Sequence, residues 1–287
     1  MQQFEVTLLN GLALAGLYFL VASGFALIFG VMRVVNMAHG SIFLLGGYLG
    51  WSVQSSTGNW ALAVLTAGAA MAAAGVVIQQ ALLRKHQGQD LTEALITIAL
   101  SIIVADLLIA SYGGVSYQLN PPAWLAKSVR IPGTSITYSA YSLALAGGAV
   151  VVGLLLWALL ERTHFGIVLR AGIDDRQMVS TLGINVQRIF VVVFAIGAGL
   201  AGVAGVLGGT LLSLVPGIDS TYLVAALAVV IVGGLGSLAG SALGALVVGL
   251  FTEFGLGYFP QYAESLTFAA IAAVLILRPA GLLGRLR

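Results

Sequence analysis

Long apolar runs recur along this chain with few charges inside them. Six stand out: Leu8–Val31, Ala61–Leu83, Ala94–Ser111, Tyr141–Leu160, Ile189–Leu214 and Leu266–Leu277. A helix needs about 20 such residues, with a range of about 17–25, to span a bilayer. The run Ser41–Val53 is shorter. Tyr222–Gly255, at 34 residues, is too long for one span and short for two, being about 50 Å as a single helix at ~1.5 Å per residue. Gly233-Gly234-Leu235-Gly236 interrupts it near the middle. The pattern predicts two short or broken helices there, with their turn at membrane depth. Irregular backbone is tolerated at that depth only inside protein or beside a water-filled cavity. The expected fold is an all-α polytopic membrane protein with eight or nine transmembrane helices, some short or broken.

Composition sharpens this picture. The chain is 60% hydrophobic and 8% charged, with a mean hydropathy of +1.06. A soluble domain carries about 25% charge, so the apolar excess calls for lipid as solvent. The 38 glycines suit closely packed membrane helices. Small residues recur every fourth position at Gly197, Ala201, Gly205 and Gly209, and again at Gly236, Gly240 and Gly244. That spacing fits either ordinary helix packing or a sliding surface. No cysteine is present, so disulfides and thiolate metal sites are excluded. The three histidines have no metal-binding spacing, and no metal is expected.

The net charge of +2 makes no case for a nucleic-acid partner; its distribution is a topology signal. With the N-terminus outside, Arg33, Arg84, Lys85, Arg162, Arg170, Arg176, Arg188, Arg278, Arg285 and Arg287 fall in the cytoplasm, and only Lys127 and Arg130 fall outside. This bias predicts an external N-terminus and a cytoplasmic C-terminus. Residues 1–7 lack a basic segment and a small-residue cleavage site, so the first helix is expected to be retained. The organisation expected is one transmembrane domain over 1–287, with an external loop at 113–138 and a charged cytoplasmic loop at 161–188.

Few polar residues interrupt the apolar runs, and these are the candidates for chemistry. Asn36, His39 and Ser41 follow the first helix directly. Polar groups at the join of two membrane segments are costly and usually have a task. Asp106 lies inside the run Ala94–Ser111, and Glu253 near the outer end of a short helix. Each either serves a path or reaches the interface. Gly234-Leu-Gly236-Ser-Leu-Ala239 mimics a dinucleotide fingerprint, but its flanks are lipid-grade apolar sequence, so a tight turn bearing Ser237 explains it better. No G-x-x-x-x-G-K-[ST] occurs, so ATP, if used, is bound by another subunit. In the charged loop, Ile173–Leu182 could form a short helix with Asp174 and Asp175 near its N-terminus, where carboxylates suit the dipole, and Gly183 as its stop.

Three blocks give the chain a resemblance to a known family. The first runs from Asn10-Gly11 to Tyr48 and includes Asn36-Met-Ala-His39-Gly40. The second runs from Gly166-Ile-Val-Leu-Arg170-Ala171 through Leu182-Gly-Ile-Asn185 to Ala201-Gly202. The third runs from Gly233-Gly-Leu-Gly-Ser237 to Gly244 and Glu253, and Leu277-Arg-Pro-Ala-Gly281-Leu-Leu-Gly also fits. Together they resemble the membrane permeases of branched-chain amino acid ABC transporters, of the high-affinity leucine, isoleucine and valine uptake type. Ser41 stands where such permeases often carry an acid, and Val179 where a small residue is common.

The resemblance implies a bacterial inner-membrane importer subunit without enzymatic activity or cofactor of its own. Its implied partners are a second related permease, two ATP-binding cassette ATPases and a periplasmic or extracellular binding protein. It further implies a translocation path near Asn36, His39, Ser41, Asp106, Ser237 and Glu253. ATPase coupling would run through Arg170, Asp174, Asp175, Met178, Leu182, Gly183, Ile184 and Asn185. Urea and short amides use similar permeases, so the cargo stays open. A channel of the aquaporin kind would need paired N-P-A turns, which are absent; a secondary carrier would use Asp106 to bind a cation.

Overall fold

The computed structural model describes residues 2–131, 136–174 and 176–284. Among the described residues, the regular elements are helices apart from one small hairpin. Its elements are α1 (Gln2–Met32), α2 (His39–Thr57), α3 (Trp60–Val77), α4 (Asp90–Tyr112), β1 (Ser128–Arg130), β2 (Thr137–Ser139), α5 (Ala140–Arg162), α6 (His164–Asp174), α7 (Arg176–Thr181), α8 (Val186–Leu211), α9 (Asp219–Gly233), α10 (Leu238–Tyr258) and α11 (Ala263–Leu277). α3 continues through a π-helical turn, Ile78–Leu83, and a 3-10 turn, Arg84–His86. Among the described residues, seven helices are long and apolar enough to cross a membrane. With α2 and the 15-residue α9, the all-α polytopic fold of eight or nine membrane helices is the one observed.

α1 and α8 form the centre. They cross at Gly24 and Gly197, where a β-carbon on either residue would meet the other's carbonyl oxygen, 2.5 and 2.7 Å away. Close backbone approach at small residues is how membrane helices gain packing energy. The stripe Gly197, Ala201, Gly205 is buried here: Gly202 meets Met71 of α3, and Gly205 packs on the backbone of Phe43 in α2. α10 lies antiparallel to α1, with Gly11 against Leu250 and Gly249 against Ala15.

The two ends of the bundle are distinct. On the face bearing the N-terminus, Gln3 reaches the Gly257 carbonyl, Trp60 bonds Thr210, and the hairpin carries Arg130. The opposite face carries Arg84, Lys85, Arg162, Arg188 and Arg278. Arg285 and Arg287 lie outside the described residues.

Two sequence expectations change. The 222–255 stretch is not a pair of short helices. α10 is a full span of 21 residues, about 31 Å at ~1.5 Å per residue, and α9 alone is short. The Gly233–Gly236 turn is not at mid-membrane either. Gly236 sits against Gly30, at the end of α1, and residues 281–284 fold onto the turn through Leu282 N–H to Val232 O (2.8 Å) and Leu283 N–H to Gly233 O (2.9 Å). Likewise no helix starts at Ile173. α6 starts at His164 and is helical through Asp174, so Asp174 lies well past the start of its helix rather than near an N-terminus; Asp175, between α6 and α7, lies outside the described residues.

Candidate translocation site

Two helices start inside the membrane. After α1 ends, Arg33 takes a left-handed φ of +57° and its N–H bonds the Phe29 carbonyl. The chain then doubles back through residues 34–36, which form no regular element, so that α2 begins beside the middle of α1: His39 Nε2 lies 2.9 Å from the Val21 carbonyl oxygen. α8 does the same from the other face. Its C-terminus is followed by Leu212–Ile218, which bridges to Tyr117 through Leu214 and delivers α9 to the head of α2. A β-carbon on Gly40 would overlap the Asp219 carbonyl oxygen, so only glycine allows the two helix heads to meet this closely.

At that meeting point three side chains from three helices converge. Ser41 Oγ donates to Asp219 Oδ2 at 2.7 Å. A hydroxyl has one proton to give; Ser101 therefore donates to Ser41 Oγ at 2.8 Å, with Asp219 Oδ2 3.4 Å away. Ser101 is the central residue of α4, so the cluster lies midway through the bundle. Thr97, one turn earlier on α4, accepts the Met37 N–H at 3.2 Å.

The surroundings are incompletely satisfied. Asn36 Oδ1 accepts the Ala38 N–H, but Asn36 Nδ2 has no partner. A carbonyl only accepts, so His39 Nε2 carries a proton for Val21 O, and Nδ1 is left as an acceptor with no partner. Both residues are at most 1% exposed. An unmet buried polar group costs about 1–3 kcal/mol, which packing alone gives no reason to bear. The heads of α2 and α9 also lack side-chain caps, whereas Asn59, Ser139, Asn185 and Ser237 cap α3, α5, α8 and α10.

Asn36, His39 and Ser41 thus come together, and the other path candidates do not join them. Asp106 is exposed on the outer surface of α4. Ser237 caps α10 by accepting the Gly240 N–H, beside the end of α1. Glu253 is half-buried toward the N-terminal face, hydrogen-bonded by Asn10. Asn10 also accepts from the Tyr138 hydroxyl at 2.8 Å; burial raises the pKa of that hydroxyl above the ordinary tyrosine value. A groove of about 900 Å³ between α1, α5 and α10 is lined mainly by apolar side chains, with Ser23, Ser237 and the Glu161–Arg170 pair among them. Asp219 and Ser101 were missed from sequence. Asp219 follows Pro216-Gly217 between two apolar runs, the same polar-join signal that singled out Asn36.

On the opposite face, α6 folds back under α5. Arg170 pairs with Glu161 at 3.0 Å and donates to the Leu160 carbonyl. Gly183 turns the chain with φ +79°. Met178 and Leu182 are 62% and 71% exposed, while Val179 is buried. Asn185 caps α8 and, with Ile184, Ser180 and Gln87, lines a cavity of about 520 Å³.

Helices that begin midway through a bilayer, with polar groups gathered at their heads, are an architecture of membrane transporters. The comparison with known proteins specifies which kind. The chain belongs to the family of branched-chain amino acid transport system permease components, whose profile matches residues 7–277. It is 30% identical to the high-affinity branched-chain amino acid transport system permease protein BraD of Pseudomonas aeruginosa, over 97% of this chain and 95% of that one. It is 29% identical to LivH of Escherichia coli, of the same description, over 98% and 96%. The fructose import permease protein FrcC of Rhizobium meliloti matches 45% of this chain and 38% of its own at 31% identity. These relatives are transport permeases, not enzymes, and this chain is a multi-pass membrane protein of their family.

Proposed function

We propose that the chain is the transmembrane subunit of an ABC importer that moves branched-chain amino acids into the cytoplasm by alternating access. The observation that carries this reading is the near full-length family match in a chain without any nucleotide-binding motif. A protein of this family lacking its own motor draws its driving force from separate ATPase subunits. A second related permease completes the path, and a binding protein delivers cargo from outside the inner membrane. The N-terminal face is the outer one, because the basic residues crowd the other.

On that cytoplasmic face, the segment from Arg170 to Asn185 is the coupling element. Its exposed Met178 and Leu182 are the apolar anchors. Arg170 braces α6 to α5, so motion imposed on α6 and α7 passes to the membrane helices. Within the membrane, Asn36, His39 and Ser41 mark the path. The test is affinity purification of the tagged chain from its native membrane, followed by uptake in proteoliposomes. Co-purifying ATPase subunits and ATP-dependent leucine uptake support the reading; a chain that transports without an ATPase refutes it.

A further inference from the structure

We infer that the meeting point of α2 and α9 is a binding site for a small zwitterion, occluded in this state, in which Asp219 receives an ammonium group and the two helix heads receive a carboxylate. The inference rests on the transporter reading and adds to it a site and the charge pattern of the ligand.

The first support is electrostatic. Each helix N-terminus acts as roughly half a positive charge through its free N–H groups. Two such ends face one another here with one carboxylate between them, at Asp219. A zwitterion presents the complementary pair. The second support is that the two helices beginning inside the membrane lack a side-chain cap; loop carbonyls take the N–H groups of His39, Thr221 and Tyr222, and those of Gly40 and Ser220 remain available.

The third support is independent of the helix ends. Asn36 Nδ2 is a donor and His39 Nδ1 an acceptor; both are buried at the head of α2 and neither has a partner. The Ser41 and Ser101 hydroxyls now supply donors to the Asp219 cluster, the role an ammonium would take over. Gly40 against the Asp219 backbone leaves no room for a ligand, so the site opens only when the two heads part. A neutral amide such as acetamide carries neither full charge and gains little from this arrangement.

The chain has no cysteine, so Ser101→Cys gives this subunit a single thiol, whose modification is followed on the separated subunit after labelling of the complete transporter. Only a thiolate reacts with N-ethylmaleimide, so modification reports water at the site. The rate is measured in membrane vesicles with and without nucleotide, in the presence of L-leucine or acetamide. The expected result is modification in at least one nucleotide state. Leucine at twice its dissociation constant should slow it about threefold by simple occupancy, and acetamide should leave it unchanged. Adding Asp219→Asn should abolish the protection, and Asp219→Glu should retain part of it. Should the Asn variant fail to assemble, Asn36→Ala must weaken the protection in its place.

Equal protection by leucine and acetamide, protection undiminished in Asp219→Asn or in Asn36→Ala, or no modification in any state would overturn the site. Vesicles that take up leucine with ATP yet show no protection reject the site alone. Vesicles without ATP-driven uptake reject the transporter reading beneath it.

Discussion

Gly40→Ala is the sharpest probe of how the two interior helix heads meet. The added β-carbon falls on the Asp219 carbonyl oxygen, which is backbone and cannot swing aside. α9 must therefore move as a unit. Overpacking of this kind costs ~1–3 kcal/mol. The shift also stretches the 2.7 Å bond from Ser41 to the Asp219 carboxylate, and hydrogen bonds to charged groups contribute ~1.5–3 kcal/mol. Losing part of the second term on top of the first gives a destabilisation of about 2–4 kcal/mol. At ~2–4 °C per kcal/mol for chains of comparable size, the thermal midpoint should fall by roughly 5–15 °C. Gly148→Ala is the control. It lies inside α5 with nothing within 4 Å of an added β-carbon, and removing a mid-helix glycine gains ~0.5–1 kcal/mol. The assay is the fraction of monodisperse protein surviving a heat ramp in detergent, paired with leucine uptake in vesicles. If Gly40→Ala matches Gly148→Ala in both, the α2 and α9 heads do not abut as described.

Other outcomes follow from different parts of the molecule. Leu182→Asp places a charge on the exposed anchor of the coupling segment; ATP-dependent uptake should fall about tenfold or more, as for loss of a hot-spot residue, while the complex still purifies intact. Single cysteines at Ser128 and Thr181, both exposed, should react with an impermeant maleimide from opposite sides of sealed cells, Ser128→Cys from outside. Arg33→Gly removes a left-handed conformation that costs an L-residue ~1–2 kcal/mol; the thermal midpoint should rise by a few degrees, and a fall would show that the Arg33 side chain does more for stability than its backbone strain costs.

Much of this fold is legible in the sequence because lipid imposes a simple rule: a long apolar run becomes a helix. The rule places α1, α3, α4, α5 and α8 within a few residues. It cannot say where along a run the chain re-enters the bilayer, since depth depends on packing partners far away in sequence. Tyr222–Gly255 shows this. The glycines do mark a turn, but its level is fixed by Gly236 fitting against Gly30 and by Leu282 and Leu283 closing over it. At the site, Asn36, His39 and Ser41 are conspicuous by their polarity at a helix join. Asp219 sits at an equally telling join, but a loop on the outer face explains an acid there just as well. Ser101 is one hydroxyl in a helix, and hydroxyls bond their own helix carbonyls often enough to pass unnoticed. Asp106 and Ser101 share α4, and only the helix's rotation, set by α2, turns one inward and leaves the other out.

The cluster at the head of α2 also carries a timetable for biosynthesis. His39 bonds a carbonyl 18 residues earlier, on a helix already made when the histidine leaves the ribosome. Ser41 bonds a carboxylate 178 residues later. At about 5–20 residues per second, the serine waits roughly 10–35 s for its partner to be synthesised. Throughout that interval the head of α2 is a polar end in an apolar setting, held first by α1 alone and then, 60 residues on, also by Ser101 and Thr97 of α4. The insertion machinery must therefore shelter a half-finished bundle until α8 and α9 arrive, and a slow stretch of translation before residue 219 lengthens its exposure to lipid and to membrane proteases.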